Sequence, residues 1–268
     1  MSNAIILPPA PIVAVTASSS AAGHLPDYVA NDYLGVTWQS NGGTTSQYLT
    51  IDLGADVEFD TIALFGLTGA ALTWQMQIKA ATAAQGSSFP GGSWVGSVDQ
   101  LLAGSAMPTS GRGKALWLAP AVSPPPPSRY IRITLGAPSN SVFTVARVVI
   151  GKRFQPSINF KFGAAFGVRD LGKIDFSSRG VLLRRYGAKL RTTGLTFPHV
   201  HRDKIDAVIQ PLMERIGNTD CVALVTDPDA HEQRQNRMYF GPLIGDQESI
   251  WARPGGLEWR ANMVGMDI

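Results

Sequence analysis

The chain has 268 residues, enough for two ordinary domains that each bury a core. Hydrophobic residues make up 44% and charged residues 16% of the sequence, which is typical of a folded protein and excludes an intrinsically disordered one. A formal net charge of +3 is too small to indicate nucleic-acid binding, and a single cysteine, Cys221, excludes an internal disulfide and a cysteine-built zinc site.

The first half of the chain predicts short β-strands. Runs of strand-forming residues are separated by clusters of Gly, Pro, Ser and Asn, which are turn-forming residues. In "QYLTIDL", leucine and isoleucine alternate with Tyr, Thr and Asp, as in a strand with one buried face. This pattern predicts a β-sandwich of the jelly-roll kind. The predicted strands are residues 47–53, 61–67, 73–80, 115–118, 129–135 and 144–150.

A change in charge marks the boundary between two predicted domains. Residues 1–151 carry six Lys/Arg and seven Asp/Glu, for a net charge of −1, whereas residues 152–268 carry 17 and 13, for a net charge of +4. The tripeptide Gly-Lys-Arg at 151–153 lies at the change. We therefore predict domains at 1–151 and 152–268.

The second half predicts one helix among strands. Apolar residues between 203 and 216 follow the spacing of a single buried helical face. Asp203 suits the N-cap, Gly217 suits the end of the helix, and Pro211 predicts a kink. Strands are expected at 158–162, 181–185, in "CVALVTD", in "NRMYFGPLIG" and in "LEWRANMVGM". The fold class is therefore mainly β, with a jelly roll followed by a β-sandwich or split barrel carrying one helix.

Five sequence elements, in order, resemble the discoidin family of galactose-binding-like domains, which includes the C-type domains of coagulation factors. They are "ASSSAAGHLPDYVANDYLGVTWQS", "QYLTIDLG", "FDTIALFG", "SRYIRITLG" and "VARVVIGKR", within residues 12–151. The resemblance implies an eight-stranded jelly roll, in which Asp52 of "IDLG" accepts backbone N–H bonds as a turn residue. The terminal cysteine pair of many members is absent, and no acidic cluster indicates a calcium loop. We expect no metal and no cofactor.

Carbohydrate binding requires an aromatic face for the sugar ring and planar hydrogen-bonding groups for its hydroxyls. In discoidin-like folds the ligand lies on loops at one end of the roll. Three candidates have plain alternatives: Trp38 as core, Trp94 as a half-buried strand start, and Arg112 as a solvated loop residue. The candidate residues are His24, Trp38, Asn41, Phe89, Trp94, Arg112 and Lys114.

The second half resembles the β-modules of long-tailed phage tail-tip, or distal-tail, proteins. The features are "INFKFG", the segment "LRTTGLTFPHVHRDKIDAVIQPLMERIG" and the pair "CVALVTDPDA" and "RMYFGPL", over residues 152–268. The resemblance implies a baseplate component of the virion, made in the host cytoplasm, that forms a ring of three or six copies. Its partners would be the tail tube and hub proteins, with the jelly roll facing outward towards host surface glycans.

A basic segment, "GVLLRRYGAKLRTTG", is the candidate subunit interface. Its cations are Arg184, Arg185, Lys189 and Arg191. The alternative is a solvated sheet edge. Nucleic-acid binding is not expected, because only Tyr186 supplies an interleaved aromatic ring.

Other sites are weaker. His199, His201 and Asp203 could hold a metal or simply lead into the helix, and we expect the second. No nucleophile elbow, Walker loop or dinucleotide fingerprint occurs, so we expect no enzyme. No apolar stretch approaches the ~20 residues of a membrane span. The favoured function is a structural tail-tip component; the alternatives are a stand-alone carbohydrate-binding protein and an enzyme with a binding module.

Overall fold

The fold is taken from a computed structural model that describes residues 2–33, 35–245, 248–253 and 255–266. The protein is mainly β, as predicted, with 47% of the described residues in strands. Its one helix covers residues 202–216, and short 3₁₀ turns lie at Pro26–Ala30 and Arg234–Arg237. Within the described ranges, no helix has the length and apolar character needed to cross a membrane.

Contacts divide the chain into two compact units. The first contains Met1–Gln155 and Ala223–Met238, and the second contains Pro156–Val222 and Tyr239–Asp267. The chain therefore passes from the first unit into the second, returns to the first at residues 223–238, and then continues in the second. The division into separable domains at 1–151 and 152–268 stays a prediction.

The first unit contains eleven strands of the N-terminal half. They are β1 (Ile5–Leu7), β2 (Ala14–Ala17), β3 (Trp38–Gln39), β4 (Thr44–Val57), β5 (Thr61–Leu67), β6 (Gln75–Ala81), β7 (Trp94–Gln100), β8 (Gly113–Leu118), β9 (Ser128–Ser141), β10 (Thr144–Val145) and β11 (Arg147–Gly151). One sheet has the order β2-β4-β9-β6-β7, a second has the order β11-β5-β8, and β3 pairs with β10.

The two larger sheets share one apolar core, into which β4 and β9 point every second side chain and to which the almost continuously buried strands β5, β8 and β11 also contribute. On β4, Leu49 and Ile51 are fully buried, and on β9 Ile131 and Ile133 are their direct partners. The buried side chains of β5, β8 and β11 belong to the same cluster. Burial of each such side chain contributes about 1.5–3 kcal/mol to stability. The shared core therefore holds the two sheets together as a sandwich.

Residues 223–238 complete the first unit. Backbone pairing joins β1 to the Ala223–Val225 part of β16 (Cys221–Val225). The guanidinium of Arg234 donates to the carbonyl of Ala103, and the side-chain amide of Gln235 donates to that of Gly104. These contacts were not visible in the sequence, because the partners are more than 120 residues apart.

The second unit contains a four-stranded antiparallel sheet and a separate hairpin. The sheet order is β12-β15-β19-β18, and β13 pairs with β14. Phe197 and Trp259 stack in its core with ring centroids 5.5 Å apart. The strands are β12 (Ala165–Asp170), β13 (Lys173–Phe176), β14 (Leu182–Arg185), β15 (Lys189–His201), β18 (Ser249–Arg253) and β19 (Gly256–Gly265), and β17 (Met238–Pro242) begins at the division between the units.

The helix is irregular where Pro211 predicts a kink. An α-helical turn at Arg202–Lys204 is followed by a π-helical segment, Ile205–Ile209, and then by α-helix at Gln210–Ile216. The N–H of Gln210 donates to the carbonyl of Ile205, five residues back, just before the proline that has no N–H. Asp203 lies in the first turn and is not the N-cap, which corrects that prediction. Gly217 ends the helix with a φ of +50°, as expected.

Strand predictions failed where the sequence lacks a clean alternation. The expected strand at 158–162 is irregular. The strand expected before the helix, at the start of "LRTTGLTFPHVHRDKIDAVIQPLMERIG", is present as β15 and continues through Gly194 and Pro198. In the first unit β7 is not among the predicted strands, since glycine and serine dominate the segment that leads into it. Pairing with β6 makes this segment a strand despite its weak local signal.

Asp52 holds a turn, as the resemblance implies. Its Oδ1 accepts the N–H of Gly54 at 2.7 Å, at the point where the pairing of β4 with β9 shifts register. Arg129 binds the same carboxylate through two N–H groups, at 2.7 and 2.9 Å. The guanidinium lowers the pKa of Asp52 below its usual value, assisted by the Gly54 N–H. The carboxylate is therefore structural.

Gly66 should tolerate no side chain. It lies at a register shift of β5 with a φ of +74°, and a Cβ added there would come 2.4 Å from the Cβ of Ala146. We expect Gly66→Ala to lower the free energy of unfolding by about 2–4 kcal/mol, from left-handed backbone strain plus the clash. Gly69 also has a positive φ but nothing within 4 Å, so Gly69→Ala should cost about 1 kcal/mol. Urea unfolding followed by tryptophan fluorescence measures both; equal losses would contradict the clash.

The Asp52–Arg129 pair predicts a pH dependence of stability. Because the folded pKa of Asp52 is depressed, its stabilisation is present above the usual pKa of about 4 and is lost as pH falls through the folded pKa. At pH 7, Asp52→Asn should lower the free energy of unfolding by about 1–2 kcal/mol, and this difference should shrink below pH 4. The control Asp206→Asn, in an exposed i,i+4 pair with Arg202, should change it by less than about 0.5 kcal/mol. A pH-independent difference between the wild type and Asp52→Asn would rule out the linkage.

Candidate functional site

The registers define two ends of the jelly roll. β4 begins beside the end of β9, β6 begins beside the end of β7, and β5 ends beside the start of β8. The connections 18–43 (which include β3), 68–74, 101–112 and 142–143 therefore lie at one end, which we call the Asn41 end. The connections 58–60, 82–93 and 119–127 leave from the other, which we call the Phe89 end.

The predicted carbohydrate-binding residues are divided between these ends. His24, Asn41 and Arg112 are in loops of the Asn41 end, whereas Phe89 and Trp94 are at the Phe89 end. Sequence reasoning placed them in one set because loop residues of the right chemistry cannot be assigned to an end before strand order is known. The structure does not bring the full set together.

Two of the predicted residues are buried. Trp38 has no exposed surface, and its Nε1 donates to the carbonyl of Ser19 at 3.1 Å. Lys114 is only 4% exposed, and its Nζ donates to the carbonyl of Met238 at 2.9 Å. For Trp38 the structure shows the alternative given above, a core residue, so it leaves the candidate set. Lys114 was expected on an accessible loop, and that expectation is corrected, because the segment 223–238 covers it.

The remaining predicted residues are accessible to different degrees. Asn41 is exposed, and His24 is half-buried with Nδ1 2.9 Å from the carbonyl of Thr37. Arg112 is half-buried, and its backbone N–H lies 3.4 Å from the hydroxyl of Ser110. Trp94 begins β7, donates from Nε1 to the carbonyl of Ser123 at 3.2 Å, and packs edge-on against Trp117. The indole of Trp94 therefore serves mainly as packing.

A layered cluster lies on the outer face of the five-stranded sheet. The guanidinium of Arg132 lies 4.4 Å from the ring centroid of Tyr48 and 4.3 Å from that of Phe89. Its Nε donates to the hydroxyl of Thr50 at 3.1 Å, and its Nη2 donates to the carbonyl of Ser87 at 3.3 Å. Of these residues, sequence reasoning had nominated only Phe89. We call Tyr48, Arg132 and Phe89 the outer-face cluster.

The loop that carries Phe89 is held in place and locally strained. Phe89 has a φ of +56°, and no other described residue except glycine has a positive φ. For a bulky residue this backbone conformation costs about 1–3 kcal/mol, which contacts with the surrounding structure must offset. Here Gln85 donates to the carbonyl of Gly92 at 3.1 Å, and the N–H of Ala83 donates to Asp56 at 2.7 Å. The positive-φ conformation of Phe89 places its ring over the guanidinium of Arg132.

A shallow cleft at the Phe89 end is a weaker candidate. Its volume is about 180 Å³, and its lining residues are Glu58, Phe59, Asp60, Pro125, Pro127 and Lys152. The Lys152 ammonium and the Glu58 carboxylate lie 2.5 Å apart, and Lys152 lowers the pKa of Glu58. Asp60 accepts the N–H of Arg153 at 2.8 Å. Because its charged groups already bind one another, the cleft offers a ligand few unused polar atoms.

In the second unit, residues 165–189 expose apolar side chains on strands. Every residue of β12, β13 and β14 is exposed, including Val168, Ile174 and Phe176. Solvent-facing apolar patches of this kind mark interaction surfaces in folded proteins. Arg184, Arg185 and Lys189 of the predicted interface are exposed on this segment. Arg191 is half-buried, stacks 4.2 Å from the Tyr239 ring centroid and donates to its hydroxyl at 2.8 Å.

Similarity to known proteins is found among solved structures. No protein-family model matches the chain, and no curated protein matches it. A fucose-binding module of Streptococcus pneumoniae is similar over 55% of this chain and 96% of its own, with 11% identity and a TM-score of 0.41. A chitosan-binding module of a Paenibacillus chitosanase/glucanase is similar over 54% and 98%, with 14% identity and a TM-score of 0.40.

An enzyme is also among the similar structures. The GH29 fucosidase of Ruminococcus gnavus, in complex with fucose, matches 53% of this chain with 16% identity and a TM-score of 0.39. The match spans a quarter of the fucosidase chain. At these TM-scores the likenesses carry no argument about what this chain binds. The resemblance of residues 152–268 to tail-tip proteins finds no support in the comparisons and stays a prediction.

Proposed function

We propose that the first unit binds carbohydrate at the outer-face cluster. The observation that carries the proposal is the guanidinium of Arg132 held between the rings of Tyr48 and Phe89. Sugars are recognised by aromatic surface beside planar hydrogen-bond donors, and this cluster combines the two. Tyr48 keeps 36% of its surface exposed and Phe89 is half-buried, so ring surface and donors reach solvent together.

Rigidity is the second argument for this position. Both rings have few rotatable bonds, and the strained, hydrogen-bonded loop holds Phe89 before any ligand arrives. A site that is already ordered loses little side-chain entropy on binding. The Asn41 end, with His24 and Asn41, is the competing position for the same function.

The test is glycan-array screening of the full chain and of three variants. We expect binding above background for the wild type and a loss of roughly 10-fold or more in affinity for Tyr48→Ala and Phe89→Ala. Tyr33→Ala is the matched control, because Tyr33 is 77% exposed at the Asn41 end. We expect this control to bind like the wild type.

Two results would contradict the proposal. If the folded wild type binds no glycan, the first unit has no carbohydrate-binding role. If Tyr33→Ala abolishes binding while Phe89→Ala does not, the site lies at the Asn41 end. Thermal unfolding of each variant shows whether a loss reflects unfolding.

Self-assembly is a second candidate function, favoured by the exposed apolar strands of residues 165–189. In this proposal the second unit joins copies of the chain into a ring, and the protein is a component of a long-tailed phage tail tip, located in the virion with tube and hub proteins as neighbours. A ring would also present several copies of a weak glycan site, which strengthens attachment to a multivalent surface. The exposed Arg184, Arg185 and Lys189 would lie at the junction between copies.

Light scattering of the full chain tests assembly. We expect a mass several times that of one chain for the wild type, and a single-chain mass for the double variant Ile174→Ser/Phe176→Ser. These two side chains are 70% and 65% exposed, so their removal should leave the fold intact. Val122→Ser is the control, because Val122 is 99% exposed in the first unit. A monomeric wild type, or an oligomer that the double variant leaves unchanged, counts against this surface.

A further inference from the structure

The outer-face cluster lies beside a second positive charge. Arg132 on β9 is the direct partner of Lys79 on β6. Side chains of directly paired residues lie on the same face of a sheet, with Cβ atoms about 4.5–5.5 Å apart. Two cations in this position repel each other unless a negative group lies between or beside them.

Among the described residues, no carboxylate forms an ion pair with Arg132 or Lys79. The two acidic residues of β4 have other partners. Arg129 engages both carboxylate oxygens of Asp52, and the Oδ1 of Asp56 accepts the N–H of Ala83.

The residues paired with the two cations are uncharged. Thr50 pairs with Arg132 from the other side, and Val95 on β7 pairs with Lys79. Along β9 the same face continues to Tyr130 and Thr134. None of these four neighbours supplies a negative charge to either cation.

Arg132 retains unused hydrogen-bonding capacity. A guanidinium has five N–H donors, and two of them are engaged by Thr50 and Ser87, so three remain without a described protein acceptor. The two rings hold the guanidinium plane in a fixed orientation. A planar, pre-oriented fork of this kind matches a carboxylate, which it can bind through two parallel N–H bonds.

We propose that the ligand of this site is an acidic saccharide whose carboxylate binds to Arg132, with Lys79 supplying a second positive charge and the rings of Tyr48 and Phe89 contacting the sugar. This inference rests on the carbohydrate-binding function proposed above and specifies its substrate class. A uronic acid has the required chemistry, since it places one carboxylate on an otherwise hydroxyl-bearing ring.

The test compares two probes with the same sugar chain, one carrying carboxylates and one carrying their uncharged methyl esters. Binding of tetragalacturonate and of its methyl ester to the full chain is measured by isothermal titration calorimetry at low salt. We expect the acid to bind at least 10-fold more tightly than the ester, and this preference to weaken as salt is raised. Inorganic phosphate at the same concentration should not compete, because it offers no ring to Tyr48 and Phe89.

Three variants assign the effect to residues. Arg132→Gln should lose roughly 10- to 100-fold in affinity for the acid and most of the preference over the ester. The Lys79 side chain has no hydrogen-bond or ion-pair partner among the described residues. Lys79→Gln should therefore fold normally and lose about 3-fold in affinity for the acid. Lys204→Gln removes the same charge from the helix of the second unit and should leave binding unchanged.

The outcomes separate this inference from the function on which it rests. Equal affinity for acid and ester, with both lost in Phe89→Ala, would overturn the acidic ligand and keep carbohydrate binding. Failure of both probes, together with a silent glycan array, would overturn both. Full affinity for the acid in folded Arg132→Gln and Lys79→Gln, or competition by phosphate equal to that by the acid, would also overturn the inference.

Discussion

The alternation of side chains on β4 and β9 is the constraint on which the first unit depends. Leu49, Ile51, Ile131 and Ile133 point inward and form the core shared by the two sheets. The same register necessarily turns the intervening residues outward. A slip of one residue would bury Arg132 and expose the core, so the packing free energy of the interior fixes the position of the outer-face cluster.

Outward residues on these strands have two different roles. Asp52 and Arg129 form a pair that stabilises a turn where the strand pairing shifts, and the charges of the two groups neutralise each other. Three residues further along β9, Arg132 is held by aromatic rings and has no carboxylate partner among the described residues. The difference between a structural and a candidate binding arginine is therefore whether its charge is neutralised within the fold.

The two units also differ in how completely they bury their apolar residues. The first unit encloses a contiguous apolar core built from the N-terminal half, and it also contains residues 223–238. In the second unit, the strands of residues 165–185 expose valine, isoleucine, leucine and phenylalanine side chains. Covering this apolar surface would remove it from water and lower the free energy of the protein. We therefore propose binding for the first unit and assembly for the second.

The sequence by itself determined the mainly β class, the strand at 61–67 and the helix near 203–216, because each depends on local periodicity. The turn role of Asp52 followed from the resemblance to discoidin domains. The sequence nominated Phe89 from its loop context. It could not show that Lys114 is buried, that Phe89 and Asn41 belong to opposite ends, or that Arg132 contacts both Tyr48 and Phe89. Those facts depend on which strands pair, and in what register, between segments 40 to 130 residues apart. Pairing of that kind is decided by burial of the whole core, and only the tertiary structure contains it.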